Sequence, residues 1–482
     1  MRFLRLPLLG IALAASPACA ARAPAATSAQ AADDADRRMD LGLERLDAGD
    51  YARAAATFSS VYAALPESDL RRDLAAYDLA KSLVALGFVQ AGVEYYFGIV
   101  SGRRVPDLVS KSLADLKPLY DARLVDRERL TESVLYGNQY GELAPDVTDF
   151  VEYLQALTDI RHGFADWGRS RMDVLAKTKR PYSLFARYAL AVDRVARHED
   201  DAAADELLAV AHAEGDASSD LRDEARLALG RIYYEKKRYE DAWHVYSEMG
   251  STLPFEDAII LEKAWDLVGA GSPQRALGLL VGLGAPAFRG LFAPERDLIR
   301  ALALRRLCQY RAAHVAVREF RATYGDVLAA IRGGGRLADD PTMRTWANAV
   351  DTVLADRDRI RQALAAEKAA VGRVADKPLR EHLKALYDGG LTRVQMAIDR
   401  RLGHATERVA DELLRVEEQM NLIDYEVGVG LFKSGDAKEA AVSIRQEDVP
   451  LGSQAVYFRF DGEYWSDEIG DYTVLAEDRC VR

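Results

Sequence analysis

Along Leu229–Tyr246 (LGRIYYEKKRYEDAWHVY) the apolar and small residues fall on one face of each of two short helices. Leu229, Gly230 and Tyr233 mark the first; Tyr239, Ala242 and Tyr246 mark the second, and Pro254 ends the unit. The charged residues between them predict a solvated turn. Gly230 and Ala242 are small enough to let the two helices approach closely, with the tyrosines filling the space around that approach. The same register returns at Leu41, Gly42, Gly49, Tyr51, Ala54, Phe58 and Pro66, and again at Leu79, Ala80, Leu83, Gly87, Gly92 and Tyr96. Further copies run through Leu190, Ala191, Ala203 and Leu207, through Ala264, Leu267, Gly271, Ala276 and Leu280, and through Ala301, Leu304, Tyr310, Ala313 and Val317. Residues 110–181 keep a helical pattern but match the register poorly, as degenerate or inserted units.

Beyond Gly333-Gly334-Gly335, which reads as a loop, the period changes to that of long helices. Trp346, Val350, Val353, Ile360, Leu364, Val371 and Val374 form one seam, interrupted by Arg357 and Glu367 and closed by Pro378. A second, cleaner seam runs through Leu391, Val394, Ile398, Leu402, Ala405, Val409, Leu413, Val416, Met420, Ile423 and Val427. Asp388-Gly389-Gly390 is the expected turn of a helical hairpin over residues 326–450, which either packs on the solenoid end or forms an oligomerisation or docking stalk, and Val427–Ala440 is expected to make one more repeat-like turn. In residues 451–482 the pattern becomes β-prone. Gln454–Phe460, the Asp461-Gly462 turn and the aromatics Tyr457, Phe458, Phe460, Tyr464, Trp465 and Tyr472 predict a short hairpin, either packed on the helices or presenting its aromatics to a partner.

The recurring helix-turn-helix register over roughly residues 37–325 resembles the tetratricopeptide repeat, a unit of about 34 residues. The resemblance implies an all-α, right-handed solenoid in which each unit buries its apolar face against its neighbours. It also implies a groove lined by the first helix of each unit. Its register places Tyr77, Lys81, Tyr188, Arg231, Tyr234, Trp265, Arg305 and Arg306 there. Aromatics mixed with arginines suit a peptide or protein segment carrying apolar and acidic groups.

Composition narrows the function. Of 482 residues 49% are hydrophobic and 29% charged, with a net charge of −12. The balance is globular and argues against nucleic acid, which calls for a basic footprint. Residues 1–20 have the layout of an export signal: Arg2 and Arg5, an apolar run from Leu6 to Ala15 too short for a membrane span, then Ala18-Cys19-Ala20. Cys19 is a lipidation candidate of bacterial lipoprotein type, although Ser16 and Pro17 depart from the usual residues before such a cysteine. The Ala-, Pro- and Ser-rich residues 21–36 read as a linker. After removal of the signal, Cys308 and Cys480 remain, either bridged in an oxidising compartment or separately buried.

No catalytic motif is present: no H-E-x-x-H, paired C-x-x-C, G-x-S-x-G or phosphate loop. His198-Glu199-Asp200-Asp201 falls at a turn between repeat helices, and His244 reads as a packed or surface residue. No cofactor or metal is expected, and no enzyme activity. The expectation is an exported, periplasmic scaffold, anchored at the outer membrane where Cys19 is lipidated. It would contact other envelope proteins in assembling or maintaining a secretion, pilus, gliding or barrel-assembly type of complex. Cell-wall or polysaccharide binding is the alternative, resting on the aromatic tail, and an envelope enzyme a lesser one.

Overall fold

The computed structural model describes residues 26–214, 219–249, 256–288, 290–434, 462–465 and 468–480. The signal segment, with Cys19, and residues 435–461 lie outside them. Seven antiparallel helix pairs stack in chain order. They are α1 (Ala26–Asp47) with α2 (Tyr51–Ala64), and α3 (Arg71–Ala85) with α4 (Val89–Gly102). After α5 (Pro106–Asp121) and a π-helical turn at Arg129–Leu135 come α6 (Pro145–Arg161) with α7 (Ala165–Ala176), and α8 (Tyr182–Ala196) with α9 (Asp200–Ala211). The array ends with α10 (Ser219–Glu235) and α11 (Tyr239–Ser247), α12 (Glu256–Gly269) and α13 (Pro273–Gly282), then α14 (Pro294–Arg306) and α15 (Tyr310–Arg332). This is a tetratricopeptide-like helical solenoid.

Two local rules build each pair. A small residue on the first helix meets a larger one sixteen positions later on the second: Gly42 meets Phe58, and Gly230 meets Tyr246, where an added Cβ would collide with the ring. Ala80 with Tyr96, Ala156 with Met172, Ala191 with Leu207, Ala264 with Leu280 and Ala301 with Val317 keep that spacing, all of them buried. The turn between the helices always places a left-handed residue two positions before the second helix. Gly49, Gly87, Gly163 and Gly271 fill it in four pairs, and His198, Lys237 and Cys308 in the others, at φ 61°, 60° and 53°. His198 therefore sets a chain reversal, and the acids after it open α9. The pair α6–α7 obeys both rules despite its weak sequence match.

α16 (Pro341–Val350), α17 (Thr352–Ala370) and α18 (Lys377–Ser434) complete the described helices. The first expected seam is broken at Asp351, which is buried. Its carboxylate caps α17 through the Leu354 N–H at 3.0 Å and takes Arg401 and Arg408 from α18. The expected turn at Asp388-Gly389-Gly390 is not a turn. Those residues are helical within α18, and the chain reverses instead between Val371 and Asp376, where Asp376 caps the Leu379 N–H. Gly390 serves packing: its bare face lies where Leu364 of α17 approaches. α18 also continues to Ser434 as one helix, in place of a repeat-like turn from Val427. α1 starts at Ala26, inside the stretch expected as linker, because alanine is the strongest helix former.

At 58 residues α18 is about 87 Å long. Val394, Ile398, Leu402, Ala405, Val409, Leu413, Val416, Met420, Ile423 and Val427 are all buried along one stripe. Its first turns dock at the front of the array, where His382 Nε2 lies 2.7 Å from the Tyr95 hydroxyl of α4. Its last turns dock on α14 and α15, through Arg305 to Glu426 at 2.6 Å and Asp424 to His314 at 2.8 Å and Arg321 at 2.9 Å. The two charges that interrupt the α17 seam are joints of the same kind. Glu367, buried, accepts the Gln90 N–H at the start of α4 at 3.0 Å and the Tyr387 hydroxyl at 2.9 Å. Arg357 pairs with Glu128 at 2.8 Å, just before the π-helical turn.

The expected C-terminal β-hairpin is not found. Gln454–Phe460 lie outside the described residues, and among those described the tail contains no strand. It runs instead as a strap over α13. The backbone of Tyr472 lies against Gly278 and the side chain of Ile469 against Gly282. The Val474 N–H donates to the Gln274 carbonyl at 3.0 Å, and the Arg479 N–H to the Leu307 carbonyl at 3.0 Å. The strap ends in a Cys308–Cys480 disulfide, with Cα atoms 5.2 Å apart. Of its described aromatics, Tyr464 packs edge-on against Phe288, ring centroids 5.0 Å apart, and Tyr472 is partly buried, whereas Trp465 is exposed.

Candidate functional site

Three of the expected groove residues meet in one cavity of about 360 Å³. α10 contributes Arg231, Tyr234 and Glu235; α12 contributes Glu262 and Trp265; α14 contributes Glu295; α18 contributes Arg415 and Gln419. Each of α10, α12 and α18 supplies residues three or four apart, the spacing that puts side chains on one helical face. Tyr246 of α11 closes the floor. Its ring is pressed against Gly230 and its hydroxyl donates to Glu262 Oε2 at 2.8 Å.

The charges are arranged around two glutamates. Arg231 Nε donates to Glu262 Oε1 at 2.8 Å. Glu295 accepts Arg415 Nη2 at 3.0 Å and the Trp265 indole N–H at 3.4 Å, joining α12, α14 and α18. Both arginines are thus already matched, and among the described residues Glu235 has no ion-pair partner. Beside Arg415, the Glu412 carboxyl is held above its usual range by burial and by the charge of Glu295. Tyr234 stands edge-on to Tyr239, centroids 5.6 Å apart, and burial raises its hydroxyl pKa. The cavity therefore offers aromatic faces with three carboxylates against two guanidinium groups, each of which already pairs with one carboxylate.

Behind Trp265, Asp266 is buried between α11 and α12 with neither carboxylate oxygen in hydrogen-bonding geometry. Burial pushes its pKa up to about 7, against a smaller opposing pull from the Trp243 backbone N–H.

The remaining groove residues are placed elsewhere. Tyr77 donates its hydroxyl to Asp115 at 3.0 Å, with Lys81 5.8 Å from its ring. Tyr188 is half-buried against the apolar cluster of α8–α10. Arg305 is held by Glu426 of α18, and Arg306 donates to the Val268 carbonyl. The sequence reading missed Glu235, Glu262, Glu295, Arg415 and Gln419. Glu235 and Glu262 were within reach of it, one turn from Arg231 and Trp265; Arg415 and Gln419 arrive from a helix distant in sequence. Among the described residues no cluster of His, Cys, Asp and Glu could hold a metal ion, and no helix is long and apolar enough to cross a membrane.

No family model matches the chain, and no curated protein matches it in sequence. Among solved structures, the APC/C hetero-tetramer Cut9–Hcn1 aligns over 81% of this chain and 90% of its own, at 13% identity and a TM-score of 0.21. A score that low means the two do not share one superposition.

Proposed function

We propose that the chain is an exported scaffold that holds a segment of another protein in the cavity between α10, α12, α14 and α18. The observation that carries this reading is the convergence there of Tyr234, Tyr246 and Trp265 with Glu235, Glu262 and Glu295 on a packed helix array. Aromatic faces beside Glu235, which has no ion pair among the described residues, suit a segment presenting an apolar side chain and a Lys or Arg. Rigid aromatics give contact area at little entropic cost. The signal layout of residues 1–20 and the Cys308–Cys480 bridge support a periplasmic location, since such bridges persist in oxidising compartments. In that setting the scaffold serves assembly or maintenance of an envelope complex. In the polysaccharide alternative the exposed Trp465 would make the contact, since Tyr464 and Tyr472 pack on the protein itself.

Crosslinking with mass spectrometry in intact cells tests this. The expected result is an envelope protein crosslinked beside the cavity, with recovery reduced at least tenfold by Trp265→Ala or Glu235→Lys. Unchanged crosslinks in both variants would remove the cavity from the reading. A tag-detected cytoplasmic location would remove the export.

A further inference from the structure

We propose that the last turns of α18 are a self-association seam through which two copies of the chain pair antiparallel. The seam consists of Leu422, Tyr425, Val429 and Phe432, which are 60%, 72%, 37% and 89% exposed. Their spacing of three, four and three residues is that of a helix-pairing stripe. The opposite face of the same turns is fixed: Met420, Ile423 and Val427 are buried, and Asp424 is held by His314 and Arg321. The stripe is therefore presented outward on a rigid helix, with little ordering left to offset on binding.

A second copy is the occupant that the chemistry fits. With a two-fold axis at Val427, Leu422 faces Phe432 of the second copy and Tyr425 faces its Val429, so every large ring meets a smaller aliphatic group. Gly428 lies beside Val429 with no atom within 4 Å of where a Cβ would stand, which leaves room for the incoming tyrosine. The charges agree. Lys433 comes opposite Asn421 of the second copy and one turn from its Glu418, and neither Lys433 nor Glu418 has an ion pair among the described residues. A parallel pair would set Lys433 against Lys433 and Phe432 against Phe432. Two aromatics of about 150–250 Å² each, with Leu and Val, give a patch on the order of 500 Å². That is the core of an interface needing about 800 Å² per partner, with the polar flanks as its rim.

Light scattering on the eluting full chain is the test. The wild type is expected at twice the 53.2 kDa chain mass. Phe432→Glu is expected at half the wild-type value, with unchanged helicity. In a Cys19→Ser background, Tyr425→Cys with Val429→Cys is expected to give an oxidised covalent dimer, and Tyr425→Cys alone is not. A monomeric wild type overturns the proposal, whether the stripe proves open, covered by residues 435–461 or taken by another protein. A dimer that survives Phe432→Glu overturns it equally, and crosslinking by Tyr425→Cys alone overturns the antiparallel pairing.

Discussion

Replacing Asp266 by Asn probes the most unfavourable group beside the cavity. The carboxylate is 1% exposed and lacks a hydrogen-bond partner, and burial lifts its pKa from 3.8 to about 7. Between about pH 4 and pH 7 the folded chain holds a proton that the unfolded chain has released. Stability from this group is therefore fully present below the unfolded pKa, falls as pH rises through that window, and is flat above about 7. A separation of roughly three pKa units corresponds to about 4 kcal/mol. Asparagine is neutral throughout and close in shape, so it resembles the protonated acid. Asp266→Asn should match the wild type at about pH 3 and exceed it by up to ~4 kcal/mol at pH 8. Urea unfolding followed by tryptophan fluorescence suits the site, because Trp265 precedes Asp266 on α12 and the backbone of Trp243 lies beside it. A chain of this length need not unfold in one step, so the transition of this region is the one to compare. Two profiles that run parallel across pH, or a variant weaker than wild type at pH 8, would refute the reasoning.

Other expectations follow from the packing. Gly230→Val drives a side chain into the Tyr246 ring and should cost about 1–3 kcal/mol, with Tyr246→Leu restoring part of the melting temperature. Glu367→Ala strips the cap from α4 and leaves the Tyr387 hydroxyl unpaired. We expect a loss of about 2–4 kcal/mol, with faster hydrogen exchange at the start of α4 and along α17 as the local signature. Cys308→Ser opens a covalent loop of 172 residues worth about 5 kcal/mol in the chain-entropy account; limited proteolysis should then cut the tail between Tyr464 and Arg479 first.

Much of the architecture was legible because it is written in short-range code. The pairing of Gly42 with Phe58 and of Gly230 with Tyr246, and the turn glycines Gly49, Gly87 and Gly271, all repeat at fixed spacing. The α18 stripe from Val394 to Val427 is likewise a local period. What escaped the sequence depends on partners far away. Arg357 and Glu367 read as blemishes in a seam, yet they face Glu128 and the start of α4. Gly389 and Gly390 carry a turn signal that interhelical packing overrides, since Gly390 makes room for Leu364. The strand-prone Gln454–Phe460 lies outside the described residues, and the part of the tail that follows it lies on α13, where Gly278 and Gly282 make room for Tyr472 and Ile469. In the cavity, Arg231, Tyr234 and Trp265 follow from the repeat register, whereas Arg415 depends on where a distant helix lies. Of the three turns among the seven that lack glycine, those at His198 and Lys237 were legible from their charged neighbours, whereas nothing in the sequence marked Cys308 as a turn residue.

The joint between Glu367 and Gln90 spans 277 residues of sequence. At a synthesis rate of about 5–20 residues per second, roughly 15–55 s pass between the emergence of α4 and that of its cap. Through that interval the front of the array exists as a nascent intermediate, with the α4 N-terminus uncapped and Tyr95 without His382. A chain arrested or truncated before α17 is therefore a client for chaperones and proteases, even though each early helix pair is complete.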